Sequence, residues 1–294
     1  MKKLCIILCL FSPIPSWSQV LKTLSLEQVL LKATDKIYNY EFIEAEKYIH
    51  HVNSKYPQHP AVPFLKAMQT YWQYMPLKKN PYASTQYVNY MNQVILLSKK
   101  MLDRNENDSE GIFFSLAAHS YLAMKYYYDR KTTEAIGEAK NAYSYLNKGT
   151  KILEIKPEFY FSTGMYNYCI EKYKMEYPLS KPLLYFFESG DMVLGIRQME
   201  VAIRQGNFTR TETALYLGQI YLNRENQPAQ AVSCFKPLAD KYPQNPLFTL
   251  RCAQALVQAG RYDDALPYAN RLHNFPQKFL DKPLNALDRR LKGK

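Results

Sequence analysis

Glycine is scarce in this chain, and the sequence patterns of common catalytic sites are missing. Only 10 of the 294 residues are glycine. Segments in which valine, isoleucine and threonine recur with period two do not occur, so strand-rich folds are excluded. The chain also has no glycine-rich phosphate loop, no paired-histidine zinc motif, no serine-nucleophile elbow and no calcium loop. These absences predict a protein that is not an enzyme and that has no catalytic, metal or cofactor site.

Cysteine is too sparse to form a framework of disulfides. The chain has five cysteines, of which Cys5 and Cys9 lie in an N-terminal stretch that is predicted below to be removed. The remaining three, Cys169, Cys234 and Cys252, are an odd and widely spaced set, and their spacing leaves open whether any two of them pair. Because no C-x-x-C motif occurs, neither a zinc site nor a thioredoxin-like site is supported. Cys169 and Cys252 are predicted to be small core residues.

Long apolar runs are missing as well. No segment reaches 18 consecutive apolar residues, so no part of the chain is predicted to span a membrane. The apolar stretch Leu4–Phe11 follows two lysines and is broken by prolines before Ser16-Trp17-Ser18. This pattern is typical of a cleavable secretory signal over residues 1–18, with the cut before Gln19 and with export to the periplasm. A buried N-terminal helix is the alternative. Neither cysteine of this stretch is placed to carry a lipid anchor.

Positive charge is in excess, with a net charge of +12. Such a balance suits nucleic acid, anionic lipid or simply a hydrated surface. Because an exported protein rarely meets nucleic acid, we expect no nucleic-acid partner. Residues 277–294 hold six basic and two acidic residues and are predicted to form a polar capping helix or tail after the last repeat. A weak contact of this basic segment with an anionic envelope surface is the sharper alternative.

The chain contains instead a repeated helical pattern, which is clearest in its last third. Leu217 and Tyr221 are four residues apart and therefore share one face of a helix. Ala231 and Phe235 repeat this spacing on the next helix. Gly218 carries no side chain, so it would allow the neighbouring helix to approach closely. These positions predict pairs of packed helices.

Helix boundaries recur with the same period. Pro243 is expected to end one helix, and Asn245-Pro246 supply a cap and a first-turn proline for the next. Both Ser25–Gln28 and Thr209–Glu212 fit the capping box, in which two side chains satisfy backbone N–H groups at a helix start. Similar marks upstream give about five repeats over residues 19–276, with the last two best matched and residues 75–107 weakest.

A unit of about 34 residues with this pattern resembles the tetratricopeptide repeat. The resemblance implies an all-α fold of antiparallel helix pairs, stacked in a right-handed superhelix. The residues that define the repeat are Ala45, Pro57, Gly164, Gly190, Gly195, Leu217, Gly218, Tyr221, Ala231, Phe235, Pro243, Gly260, Tyr262 and Ala265.

The middle of the chain shows a narrower resemblance. Between Gly164 and Ala202, a tyrosine-rich helix is followed by a proline-containing link, the turn Gly190-Asp191 and a helix that contains Gly195. This order resembles the tetratricopeptide repeat protein thirty-nine family and its bacterial relatives. That resemblance implies interaction scaffolding and supplies no active site.

Stacked helix pairs leave a concave surface that is lined by the first helix of each repeat. In the last two repeats this surface is predicted to carry amides, which can pair with a peptide backbone, and leucines, which can contact its side chains. Ordinary solvated helix surface is the alternative. The candidate groove residues are Glu212, Leu215, Gln219, Leu222, Asn223, Leu250, Gln254, Val257, Gln258 and His119.

These features favour a non-catalytic protein-interaction scaffold of the bacterial cell envelope. Its partner would be a protein or peptide of unknown identity, and its oligomeric state is left open. The alternative is an accessory subunit of an envelope complex that binds a glycan or an outer-membrane protein.

Two histidines in a row, His50 and His51, point about 100° apart on a helix and make a poor metal site. Three consecutive tyrosines, Tyr126–Tyr128, face three directions, so at least one is expected to be exposed.

Overall fold

The computed structural model describes residues 24–177, 184–276 and 280–293, and within these ranges the chain forms thirteen α-helices and no strand. The predicted signal segment, residues 1–18, lies outside the described residues. None of the described helices is both long enough and apolar enough to cross a membrane. The helices are α1 (Leu24–Tyr38), α2 (Phe42–Lys55), α3 (Ala61–Tyr74), α4 (Pro81–Arg104), α5 (Ser109–Tyr128), α6 (Thr132–Thr150), α7 (Phe159–Glu176), α8 (Met192–Gln205), α9 (Arg210–Asn223), α10 (Pro228–Lys241), α11 (Pro246–Gln258), α12 (Tyr262–Leu272) and α13 (Asp281–Lys292).

Consecutive helices pack in antiparallel pairs, which confirms the predicted all-α fold. The pairs are α1 with α2, and so on to α11 with α12, and each pair contacts the next. The described residues thus hold six pairs, whereas about five repeats were expected, because the weakly patterned stretch 75–107 contains the long helix α4. The last helix, α13, packs on α11 and α12 and buries Leu287 there. The handedness of the superhelix stays a prediction.

Side-chain caps begin several of the helices. Asn80 accepts a hydrogen bond from the backbone N–H of Ala83 at the start of α4, with Pro81 as the first helical residue. At the start of α11, the Asn245 side chain accepts a hydrogen bond from the backbone N–H of Phe248, and Pro246 is the first helical residue. Both features agree with the sequence prediction. Such caps satisfy N–H groups that have no partner inside the helix. The cap and the proline together fix where each helix begins.

The predicted capping box at Thr209–Glu212 is wrong. Thr209 is the cap residue of α9, but its side chain makes no capping hydrogen bond. The Thr209 hydroxyl donates instead to Oε2 of Glu158, at 2.7 Å. The Glu212 side chain does not turn back to the helix start either, because it accepts a hydrogen bond from Tyr38 of α1. Both side chains therefore form tertiary hydrogen bonds instead of the local hydrogen bonds of a capping box. The other predicted box, Ser25–Gln28, lies inside α1, which begins at Leu24.

Glycines allow two helix pairs to approach closely. A Cβ on Gly218 of α9 would lie 2.6 Å from the Phe235 ring of α10, which agrees with the role predicted for this glycine. At the crossing of α7 and α8, a Cβ on Gly195 would lie 2.7 Å from the carbonyl oxygen of Gly164, and a Cβ on Gly164 would lie 2.7 Å from that of Gly195. Backbone therefore meets backbone at this crossing.

Replacing Gly195 with alanine should destabilise the protein by about 1–3 kcal/mol, because the added methyl group overpacks rigid backbone. Gly137 of α6 is the matched control, since a Cβ there meets nothing within 4 Å. We expect Gly137→Ala to be neutral or to stabilise by about 0.5–1 kcal/mol, because it removes backbone freedom from the unfolded chain. Urea unfolding of both variants measures the effect. Equal stabilities would contradict the close crossing.

The first helix, α1, contacts residues of the last repeats. Asp35 of α1 accepts hydrogen bonds from Lys241, at 2.9 Å, and from the hydroxyl of Tyr242. The buried amide of Asn245 donates to the carbonyl oxygen of Tyr38, at 2.7 Å. The Tyr38 ring lies 5.5 Å from that of Tyr242, measured between centroids. The array is therefore closed on itself along this seam, which we call the α1 seam.

Candidate binding cavity

A cavity of about 620 Å³ lies between the helix pairs. Residues of α5, α6 and α7 form most of its wall, and α1, α3, α9 and the link after α7 complete it. Ligand pockets in proteins typically measure about 300–1,000 Å³. The cavity is thus large enough for several apolar side chains or for a small molecule.

The wall of the cavity is mainly apolar. Representative lining residues are Leu116, Met124, Ile136, Leu146, Met165 and Ile170. Small residues, Ala139 and Ala142 of α6, leave room opposite the larger side chains of α7. Methionine is flexible and polarizable, so Met124 and Met165 can adapt to guests of different shape. The wall therefore favours an apolar guest without fixing a single shape.

Aromatic side chains lie where the cavity meets the solvent. Tyr127 and Tyr173 line the cavity, and their side chains are 58% and 36% exposed. Nearby in sequence, Tyr177, Tyr185 and Phe186 are also exposed. Exposed apolar side chains in a group typically mark interaction sites. The prediction that at least one of Tyr126–Tyr128 is exposed is confirmed by Tyr127 and Tyr128.

Glu212 of α9 is the one described lining residue that carries a carboxylate or a cationic group. Its Oε1 accepts a hydrogen bond from the Tyr38 hydroxyl, at 3.0 Å, and the Tyr121 hydroxyl lies close enough to favour the ionised carboxylate as well. Burial raises the pKa of Glu212 to about 7, against the lowering effect of these two hydroxyls. No lysine, arginine or histidine of the described residues contributes to this pKa. The cavity thus contains a half-buried acid without a cationic partner among the described residues.

Tyrosines surround this acid. Burial raises the pKa values of Tyr38, Tyr121 and Tyr216 well above the ordinary value. Since the three hydroxyls stay protonated at neutral pH, they can donate hydrogen bonds but add no charge. Their rings present π-faces, which attract cations. Glu212 therefore lies at a polar end of an otherwise apolar cavity.

Glu212 is the single residue of the predicted groove that lines this cavity. The aliphatic members of the predicted set, Leu215, Leu222, Leu250 and Val257, are buried in the core. They face inward as the register indicated, but neighbouring helices cover them. Near Leu250, for example, Phe248 packs on Trp72 of α3 with ring centroids 5.3 Å apart, so α3 covers this end of α11.

The amides of the predicted groove lie apart from one another. Gln254 accepts a hydrogen bond from Arg251, at 3.0 Å. Gln258 donates to Asn226, at 3.2 Å. Asn223 is exposed and Gln219 is half-buried. Hydrogen bonds within the chain thus engage two of the amides that were expected to pair with a peptide backbone.

His119 is buried, and it lies outside the cavity lining. Its Nδ1 is 2.6 Å from Oε2 of Glu138, and its ring stacks on that of Tyr145 with centroids 5.7 Å apart. These contacts engage His119 in holding α5 against α6. Among the described residues, no group of three or more histidine, cysteine or acidic side chains could hold a metal ion.

Cys169 differs from its predicted place. It lines the cavity and is exposed, whereas Cys252 is fully buried, as predicted. Cys169, Cys234 and Cys252 are all free thiols. Although Cys169 is accessible to solvent, the surrounding side chains displace enough water to raise the pKa of its thiol to about 11, so this thiol is neutral at physiological pH. It therefore acts as part of the apolar wall.

Sequence reasoning did not identify the cavity residues of α6 and α7. Tyr143 and Tyr166 stack with ring centroids 5.1 Å apart, and both line the cavity. Their place in the tyrosine-rich middle of the chain was the available signal. Helical periodicity could not show which of these tyrosines face an empty space.

The comparisons with known proteins agree with the helix pairs of the C-terminal part. A family model described as tetratricopeptide repeat matches residues 222–277. These residues cover the end of α9 and the helices α10, α11 and α12. No curated protein matches the chain.

Proposed function

We propose that this chain is a non-catalytic binding protein built from tetratricopeptide repeats, to whose family model residues 222–277 are similar, and that its cavity receives an apolar segment of a partner protein. Tetratricopeptide repeats generally mediate contacts between proteins. The observation that carries the proposal is the apolar cavity of about 620 Å³ with exposed Tyr127 and Tyr173 at its opening. The cavity lies between the helix pairs, whereas the groove predicted from the sequence lies on α9 and α11.

Hydrophobic burial would supply the binding free energy. Burying one leucine, phenylalanine or methionine side chain contributes about 1.5–3 kcal/mol. Micromolar binding corresponds to about 8 kcal/mol, and association costs about 4 kcal/mol or more, so at least four such side chains would have to be buried. Because packed helices hold the wall in place, little additional ordering is needed when the segment enters.

The proposed place of action is the bacterial cell envelope. The basic start of the chain and the apolar stretch Leu4–Phe11 support export through a cleaved signal. The basic residues of α13, Arg289, Arg290 and Lys292, would add a weak, salt-sensitive contact to an anionic surface. Mass spectrometry of the natural protein tests the export: a chain that begins at Gln19 is expected, and a retained Met1 would contradict it.

Filling the cavity tests the binding proposal. Ala139→Phe should weaken the binding of apolar peptides at least tenfold, because the added ring occupies the space that the guest needs. Fluorescence polarisation with a panel of labelled, N-acetylated peptides of graded apolar content measures the affinity, and thermal unfolding verifies the fold. Ala229→Phe is the matched control, since Ala229 is exposed on α10 and outside the lining.

The combined replacement of Gln219, Asn223 and Gln254 with alanine distinguishes the cavity from the groove that the sequence predicted. We expect this triple variant to bind as the wild type does. If the triple variant loses binding and Ala139→Phe keeps it, the concave groove is the working surface and the cavity proposal is wrong.

A further inference from the structure

The half-buried acid in the cavity, Glu212, identifies what kind of segment the cavity would select. Resting on the proposed function, we infer that the cavity selects a partner segment that carries a lysine, whose ammonium group meets Glu212 while apolar neighbours fill the space between α5, α6 and α7.

The arrangement around Glu212 carries this inference. Glu212 lines the cavity together with Tyr38 and Tyr121, and the Tyr38 hydroxyl donates a hydrogen bond to its carboxylate, at 3.0 Å. Every other described lining residue lacks a carboxylate or a cationic group. A carboxylate that is partly removed from water is destabilised when it has no cationic partner, and it is much less so when it is paired and hydrogen-bonded. A guest with one positive charge would therefore complete the site.

Apolar lining residues near the tyrosines of this site suit the stem of a lysine side chain: the Phe64 ring lies 6.1 Å from that of Tyr121, measured between centroids. Four methylene groups can pack on Phe64, Met68 and Phe208, which line the cavity, while the compact ammonium group reaches the acid. The rings of Tyr38, Tyr121 and Tyr216 add π-faces near the same point, and these favour a cation further. An arginine would bring a broad, planar head that a single carboxylate and three tyrosines match less well.

Charge also distinguishes this guest from other amphipathic molecules. An anionic guest such as a fatty acid would place its carboxylate against that of Glu212, which is unfavourable at short range in a low-dielectric space. A neutral guest would fill the apolar part and leave the acid unpaired. Charge complementarity therefore favours a cationic guest over an anionic or a neutral one.

Two matched peptides test the inference. We would use N-acetylated, C-amidated heptapeptides with leucine on either side of a central lysine or a central acetyl-lysine, which keeps the length but removes the charge. Isothermal titration at pH 8, where Glu212 is ionised, measures both affinities. The wild type should prefer lysine at least tenfold. Glu212→Gln should reduce the preference to less than twofold, and Glu154→Gln, which alters an exposed acid, should leave it unchanged.

The outcomes separate this inference from the proposed function. If both peptides bind equally well and Ala139→Phe abolishes both, then the cavity binds apolar segments and the lysine inference is overturned. The inference also fails if the wild type binds neither peptide, or if a free alkylamine such as decylamine binds at Glu212 while neither peptide does. Because Gln is isosteric with Glu, circular dichroism and thermal unfolding should show that Glu212→Gln is folded.

Discussion

Replacing Glu158 with alanine should lower the free energy of unfolding by about 4 kcal/mol and the melting temperature by roughly 10 °C. The Glu158 carboxylate is buried and holds the start of α9. It accepts hydrogen bonds from the backbone N–H groups of Asn207, Phe208 and Thr209, at 2.6, 3.0 and 2.9 Å. Its loss would leave these three donors and the Thr209 hydroxyl without their acceptor, and each buried unpaired donor costs about 1–3 kcal/mol.

Glu154→Ala provides the control, because Glu154 is exposed and lies four residues earlier in the same link between α6 and α7; its effect should stay within about 0.5 kcal/mol. Glu158→Gln should fall between the two, since its amide oxygen still accepts while its NH₂ group faces other donors. Urea unfolding and thermal circular dichroism measure all three variants. If Glu158→Ala is as stable as Glu154→Ala, the start of α9 has found other acceptors and the carboxylate is not what holds it.

The second large effect concerns pH. The folded pKa of Glu212 is about 7 and its ordinary value is 4.5, so the folded state binds more protons than the unfolded state between these values. Stability should therefore fall as pH rises from about 4.5 to 7, by up to about 3 kcal/mol, and should then level off. Tyrosines face the acid from α1, α3, α4, α5 and α9, namely Tyr38, Tyr71, Tyr87, Tyr121 and Tyr216. They remain neutral in this range because burial raises their pKa values.

Glu212→Gln should remove this part of the pH dependence. The variant should match the wild type near pH 4.5 and exceed its stability by about 3 kcal/mol at pH 8, because an amide needs no deprotonation. Urea unfolding at several pH values gives the difference, and Glu134→Gln, an exposed acid of α6, serves as the control. A difference that does not depend on pH would show that Glu212 titrates at an ordinary pKa.

The sequence was sufficient for the helices and for their local packing. Four-residue spacing placed Leu217 and Tyr221 on one helix face, and both are buried. The Asn245-Pro246 boundary was found because capping depends on neighbouring residues alone. A close helix approach was predicted at Gly218 because a glycine within a regular stripe of larger side chains leaves room for the neighbouring helix.

The site could not be predicted in this way, because long-range contacts create it. Tyr38 and Glu212 are 174 positions apart in the chain, and no local pattern relates them. The motif at Thr209–Glu212 was consistent with a capping box until Glu158 and Tyr38 engaged its two ends. A cavity also does not change the helical periodicity of the residues that line it. The sequence therefore does not distinguish Ala139 of α6 from any other helical residue.

The α1 seam changes how this array should unfold. A linear stack of repeats behaves as a chain of nearest neighbours, and its two ends can open independently. Here Asp35 is paired with Lys241 and Tyr38 with Asn245, so the first pair has neighbours on both sides, as the links of a ring do. Separating the first pair from the rest must break the seam, which makes unfolding more cooperative. Because Tyr38 also lines the cavity, a guest that fills the cavity would hold the ring closed.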